Sequence, residues 1–115
     1  MQIQYSSKKV ERYFIDYGLM QATIGLELTK AVKKQENHLK ASRNFSIYLS
    51  LGLGKPHPLY GDLKGCYGVW LTGNIRLIIE PQAEDLSPKS LELCDLVKMK
   101  GVSDYHGGKD NWLIP

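Results

Sequence analysis

Cysteine is scarce in this chain of 115 residues: only Cys66 and Cys94 occur, neither in a CxxC pair nor beside spaced histidines. That excludes a disulfide framework and a structural zinc site, and leaves two reduced thiols of the core. Long apolar runs are missing as well. The best, LIIEP after Arg76, is far too short to span a bilayer, and the opening MQIQYSSKK lacks the apolar stretch of a secretory leader. A cytoplasmic location with no membrane partner is therefore expected. The sequence also carries no P-loop, dinucleotide fingerprint, nucleophile elbow, internal repeat or low-complexity segment. Chemistry, if present, is expected to need neither metal nor cofactor.

What is present is ordinary globular material. Hydrophobic residues make up 43% of the chain and charged ones 23%, so the chain is expected to fold rather than stay disordered. Its length allows one domain, residues 1–115, with one core. A net charge of +3 is compatible with a nucleic-acid partner without demonstrating one.

The apolar pattern gives an α+β order. IQY at residues 3–5 reads as a short strand. In SSKKVERYFIDYG, Val10, Tyr13, Phe14 and Tyr17 share one helical face, with Ser6 or Ser7 as cap and Gly18 as terminator. A second helix is expected from about Thr23 to Ala41. Ile24, Leu28, Ala31, Val32, Gln35 and Leu39 form its inner stripe, and its lysines and His38 face solvent. NFSIYLSL fits a helix or a strand, and GLGKPHP a loop. CYGVWLT and IRLIIEP flank Gly73-Asn74 as a hairpin, in a register that pairs Leu71 with Arg76 and Val69 with Ile78. A polar loop over 82–90, a strand in LELCDLVKMKGVSDY and a short tail GGKDNWLIP follow. The expected fold is two N-terminal helices packed on a small, mainly antiparallel sheet.

Three features bear on chemistry. Arg76 sits among strand aliphatics, where an unpaired charge is costly to bury. It either lies on an exposed face, pairs with a carboxylate across the sheet, or binds phosphate oxygens. His57 stands between two prolines in KPHPLYGDLKG, with Lys55 and Lys64 nearby as further phosphate-binding candidates. Asp104, Tyr105 and His106 arrive together at the end of the last long strand. Each feature alone is most simply structural. Together they match metal-free cleavage of an RNA phosphodiester. A base activates the ribose 2′-OH, a cation stabilises the phosphorane-like transition state, and an acid protonates the 5′-oxygen.

KPHPLYGDLKGCYGVWLTGNIRLII, followed by DLVKMKGVSDYH, closely resembles the HigB branch of the RelE/ParE toxin superfamily, the plasmid-maintenance killer proteins. The HPLxGD, NxR and DYH series spans about half the chain in the family's order. The resemblance implies a microbial RNase fold of two helices on a curved sheet. It implies a ribosome-dependent endoribonuclease that cuts mRNA in the decoding site. It further implies a HigA-like helix-turn-helix antitoxin as partner in a hetero-oligomer, with operator DNA bound only through that antitoxin. Carried over by position, Arg76 binds phosphate, His57 and His106 are acid/base candidates, and Asp104 and Tyr105 position or tune them. Three departures stand out: Tyr60 occupies a position where relatives often have a basic residue, the loop over 82–90 is longer than in the smallest members, and the chain continues past DYH. Two alternatives use the same scaffold: a ParE-like inhibitor of DNA gyrase without nuclease activity, and a module that retains only antitoxin binding.

Overall fold

The first helix starts where a serine can cap it. In the computed structural model, which describes residues 1–115, the Ser7 hydroxyl accepts the Val10 N–H, and α1 runs Lys8–Ile15 with Val10 and Phe14 buried. It stops at Asp16 rather than Gly18. Asp16 has extended backbone, and its carboxylate accepts the Leu19 N–H at 3.0 Å, so the residue that closes α1 also caps α2, Tyr17–Ile24. Gly18 lies inside that helix. Gly25, at φ 89°, then breaks the run expected to continue from Thr23, and α3 spans Leu26–Ala41. The segment NFSIYLSL resolves as a helix, α4, Phe45–Ser50, because the Asn44 side chain accepts the Ile47 N–H.

The buried stripe of α3 is partly polar: Thr29, Val32, Gln35, Glu36 and Leu39. Gln35 accepts the Tyr48 hydroxyl at 2.7 Å, and Glu36 receives the hydroxyls of Tyr5 and Tyr17, each at 3.4 Å. Burial, reinforced by the Glu36 carboxylate, pushes the Tyr5 hydroxyl up from 10.0 to about 12. Burial moves Tyr48 in the same direction. A raised phenol pKa favours the neutral form in the folded state. Its contribution is therefore intact below pH 10 and lost as pH rises from 10 towards 12. The urea midpoint is expected to fall across that window, and to fall less in Tyr5→Phe. An equal fall in that variant would remove Tyr5 as a cause.

The sheet contains β1 (Gln2–Tyr5), β2 (His57–Pro58), β3 (Tyr67–Thr72), β4 (Ile75–Pro81), β5 (Leu96–His106) and β6 (Lys109–Ile114). Its order is β1-β5-β4-β3-β2, and β6 joins β5 beyond the end of β1. Only β1 with β5 is parallel. Helices cover one face, where Val10, Met20, Val32, Leu39 and Phe45 meet Val69, Leu77, Ile79, Val97, Met99 and Ile114. The other face is open apart from a small cluster of Leu59, Cys66 and Ile78. Both cysteines are buried and unpaired, and burial raises both thiols. The α+β architecture stands, with the helical layer in more pieces than the sequence pattern indicates. A short α5, Pro88–Glu92, capped by Ser87, lies where a loop and strand start are expected, so β5 begins only at Leu96. Two residues of the proline-rich loop, His57 and Pro58, pair with Gly68 and Tyr67. No helix is long and apolar enough to cross a membrane.

Two register features position the site. Trp70 pairs with Arg76 and Val69 with Leu77, one residue away from the expected hairpin register, because Leu71 is bulged out before Thr72. In the expected register Arg76 would share the face of Val69, under the helices. The bulge turns it to the open face instead. At the other end, Gly107 and Gly108 take φ of 60° and 75° and fold the tail back along β5 rather than leading it away. Ile114 is completely buried, whereas Trp112 lies on the open face, two-fifths exposed. Opposite the end of β6, Gly101 has φ 145°, and a Cβ there would run into the Ile114 carbonyl oxygen.

Candidate active-site cleft

Gly68 of β3 makes room for two of the candidate side chains. A Cβ at this position would lie 3.2 Å from Arg76 Cδ and 3.4 Å from His57 Cε1, so both side chains cross the space a larger residue would fill. His57 reaches it from β2, Arg76 from β4. Between Pro56 and Pro58 the His57 backbone has little freedom. Lys55, with φ of 46°, is the sole non-glycine residue in the left-handed region, and its carbonyl oxygen lies 3.1 Å from His57 Nδ1. A carbonyl can only accept, so Nδ1 carries the proton and Nε2 is the basic nitrogen of the neutral ring.

Arg76 is nine-tenths buried along its side chain. Its Nη2 donates to Asp110 Oδ1 at 3.0 Å, and its Cζ lies 4.2 Å from the centre of the Tyr105 ring. Asp110 Oδ1 also accepts the Ser103 hydroxyl at 2.6 Å. The Arg76 Nε is buried without a hydrogen-bond partner. Arg76, Tyr105 and Asp110 line a cleft of about 370 Å³ on the open face, bordered also by His57, Tyr60 and Gly108. Tyr60 is almost fully exposed at its rim. A second hollow continues past Gly108 and Asp110 to Lys109 and Trp112.

The three residues DYH do not act as a block. Strand alternation puts Ser103 and Tyr105 on the Arg76 face, and Asp104 and His106 on the reverse. Tyr105 enters the cleft. Asp104 and His106 instead pair with each other at 3.3 Å, Oδ1 to Nδ1, at the exposed tip of the β5–β6 hairpin. The lysines also separate. Lys55 Nζ lies 5.8 Å over the Trp70 ring, on the strand beside Arg76. Lys64 faces a different hollow, about 730 Å³, among Glu80, Glu84 and Asp85. His38 is half-buried on α3, on the helical side of the sheet, rather than facing solvent. No group of side chains is arranged to hold a metal ion.

Asp110 is the residue that sequence reasoning missed. The option of a carboxylate partner for Arg76 was visible, but its source lies in what reads as a tail. The signal was there: two glycines directly after a strand, the composition of a tight hairpin turn.

No protein-family profile matches the chain, and no curated protein matches it. Solved structures do. The YoeB-YefM complex from Staphylococcus aureus contains a chain that aligns over 92% of this one and 97% of its own length, at 18% identity and a TM-score of 0.54. The YoeB/ParE toxin from Agrobacterium tumefaciens aligns over 92% and 100%, at 15% identity and a TM-score of 0.57. The YoeB dimer from Staphylococcus aureus gives a TM-score of 0.54 at 17% identity. This chain shares the fold of these proteins across nearly its whole length.

Proposed function

We propose that residues 1–115 form one toxin domain of the RelE/ParE superfamily, of the HigB branch. Its activity is cleavage of mRNA on the ribosome, and a helix-turn-helix antitoxin of the HigA kind restrains it. The observation that carries this reading is the meeting of His57, Arg76 and Tyr105 in one cleft on the open face of the sheet. The fold shared with YoeB and YoeB/ParE toxins supports it, as does the motif series HPL, NxR and DYH.

In this mechanism His57 Nε2 takes the proton of the ribose 2′-OH, since Nδ1 is occupied by the Lys55 carbonyl. The 2′-oxygen attacks phosphorus and the bond to the 5′-oxygen breaks, leaving a 2′,3′-cyclic phosphate and a 5′-hydroxyl. Arg76 neutralises the charge that builds on the non-bridging oxygens. The proton for the 5′-oxygen comes from the β5–β6 hairpin. Tyr105 already lies in the cleft, and His106, oriented by Asp104, serves a substrate that wraps the hairpin tip. His57→Ala is accordingly expected to lose about 10²–10⁴-fold in cleavage, the usual range for a proton-transfer group. His106→Ala is expected to lose less. Mapping mRNA 5′ ends after induction tests the reading: growth arrest with codon-phased, translation-dependent cleavage is expected, and intact mRNA during arrest overturns it.

A gyrase-directed toxin is the second reading. It is favoured by two observations: a single histidine faces the cleft, and the guanidinium there is already matched by a carboxylate. Inhibition of DNA supercoiling by the purified protein, with mRNA intact, would select it. Full viability on overproduction would leave antitoxin binding alone.

A further inference from the structure

The cleft's cation is not free. Arg76 points its Nη2 at Asp110, and Ser103 holds the same carboxylate oxygen in place. A guanidinium matched by one carboxylate has little attraction left for a phosphodiester, which carries one negative charge. Yet the match is poor. Asp110 bonds the guanidinium through one nitrogen, and Nε stays buried with no partner. An unmet buried donor is costly, and an anion with two oxygens in one plane satisfies Nε and Nη2 together. The parts that block it belong to one piece of chain. Tyr105, whose ring covers the guanidinium, and Asp110 are cross-strand partners in β5 and β6. They are joined by a turn containing Gly107 and Gly108, both in the left-handed region.

We infer that the β5–β6 hairpin tip is an autoinhibitory strap, with the Asp110 carboxylate occupying the phosphate seat on Arg76. Substrate displaces it by shifting the tip, which draws Asp110 off Arg76 and slides the Tyr105 ring aside within the cleft, opening Nε. The strap deepens the nuclease reading and rests on it for the identity of the incoming anion. It also assigns Asp110 an effect opposite in sign to that of a residue that merely holds Arg76 in position. Removing the charge strengthens anion binding under the strap and weakens it under positioning.

Asp110→Asn separates the two, because the amide oxygen still accepts from Ser103 and Arg76 while the charge is gone. The measurement is a titration of the full chain with inorganic phosphate at fixed ionic strength, following the Arg76 Nε–H by nitrogen-edited NMR. Asp110→Asn is expected to saturate at roughly tenfold lower phosphate than the wild type, as removal of an adjacent like charge predicts. Ser103→Ala, which only loosens the carboxylate, is expected to shift in the same direction by less. Equal or weaker binding in both variants overturns the strap. An RNA oligonucleotide with 2′-deoxy positions, titrated in parallel, keeps the two ideas apart. Tighter phosphate binding in Asp110→Asn, with no RNA binding and no mRNA cleavage by either form, leaves the strap standing and removes the nuclease reading. Cleavage by the wild type with unchanged phosphate affinity in Asp110→Asn does the reverse.

Discussion

Arg76→Ala is expected to reduce mRNA cleavage by about 10²–10³-fold, the loss seen when one preorganised donor to a developing oxyanion is removed. Size alone does not make the case, because the substitution also disturbs the fold. It leaves Asp110 with Ser103 as its remaining side-chain partner and takes the cation from beneath the Tyr105 ring. Loss of a charge-assisted hydrogen bond in a partly buried setting costs about 1–3 kcal/mol. Arg76→Lys resolves the ambiguity. Lysine keeps a charge near Asp110 but lacks the planar fork, so it should regain much of the stability and little of the cleavage. Parallel melting curves and cleavage assays on the two variants read this directly. If Arg76→Lys restored cleavage along with stability, bidentate phosphate recognition at this position would be wrong.

The second large effect lies outside the cleft. Gly101→Ala adds a Cβ where the Ile114 carbonyl oxygen lies, at a backbone φ of 145° that side chains rarely adopt. Either β5 must change its conformation or β6 must leave. In the second case Ile114, completely buried, comes out of the core, and Asp110 leaves Arg76 with it. Emptying an isoleucine site costs about 2–5 kcal/mol, and backbone strain adds about 1–3 kcal/mol. The combined loss, about 3–8 kcal/mol, is a large part of the 5–15 kcal/mol typical of a domain. Urea denaturation measures it. A midpoint within experimental scatter of the wild type would mean that the end of β6 adjusts freely and contributes nothing to holding the strap.

The layers of the fold were legible because they rest on local rules. Ser7 before an apolar face starts a helix, and Gly73-Asn74 between two β-rich runs makes a hairpin. The misses share a cause: the deciding contact is not local. Gly25 interrupts a helical pattern that an isolated glycine need not break. The Leu71 bulge is needed to turn a charged side chain out of the core, but nothing in GVWLTGN marks which residue is extra. In the cleft, His57 and Arg76 were legible as anomalies, a histidine fixed by prolines and a charge in an apolar strand. Tyr105 was separated from its neighbours by strand alternation, a rule the sequence supplied and the motif obscured. Asp110 could be recognised only by treating GGKDNWLIP as a strand rather than a tail.

β1 and β6 lie end to end along the same edge of β5: Gln2 pairs with Leu96 and Tyr5 with Met99, while Val102 pairs with Ile114. During synthesis the helices can form from neighbouring residues as they emerge, but β1 has nothing to join until β5 appears almost a whole chain later. That edge of β5 is therefore completed late, by β1 and β6 together. His57 and Arg76 precede Tyr105 and Asp110 in the chain, so the strands that carry the first two are made before the hairpin that covers them. For a protein proposed to cleave RNA, this order means that the restrained cleft, with Asp110 on Arg76, exists only once β6 has been made.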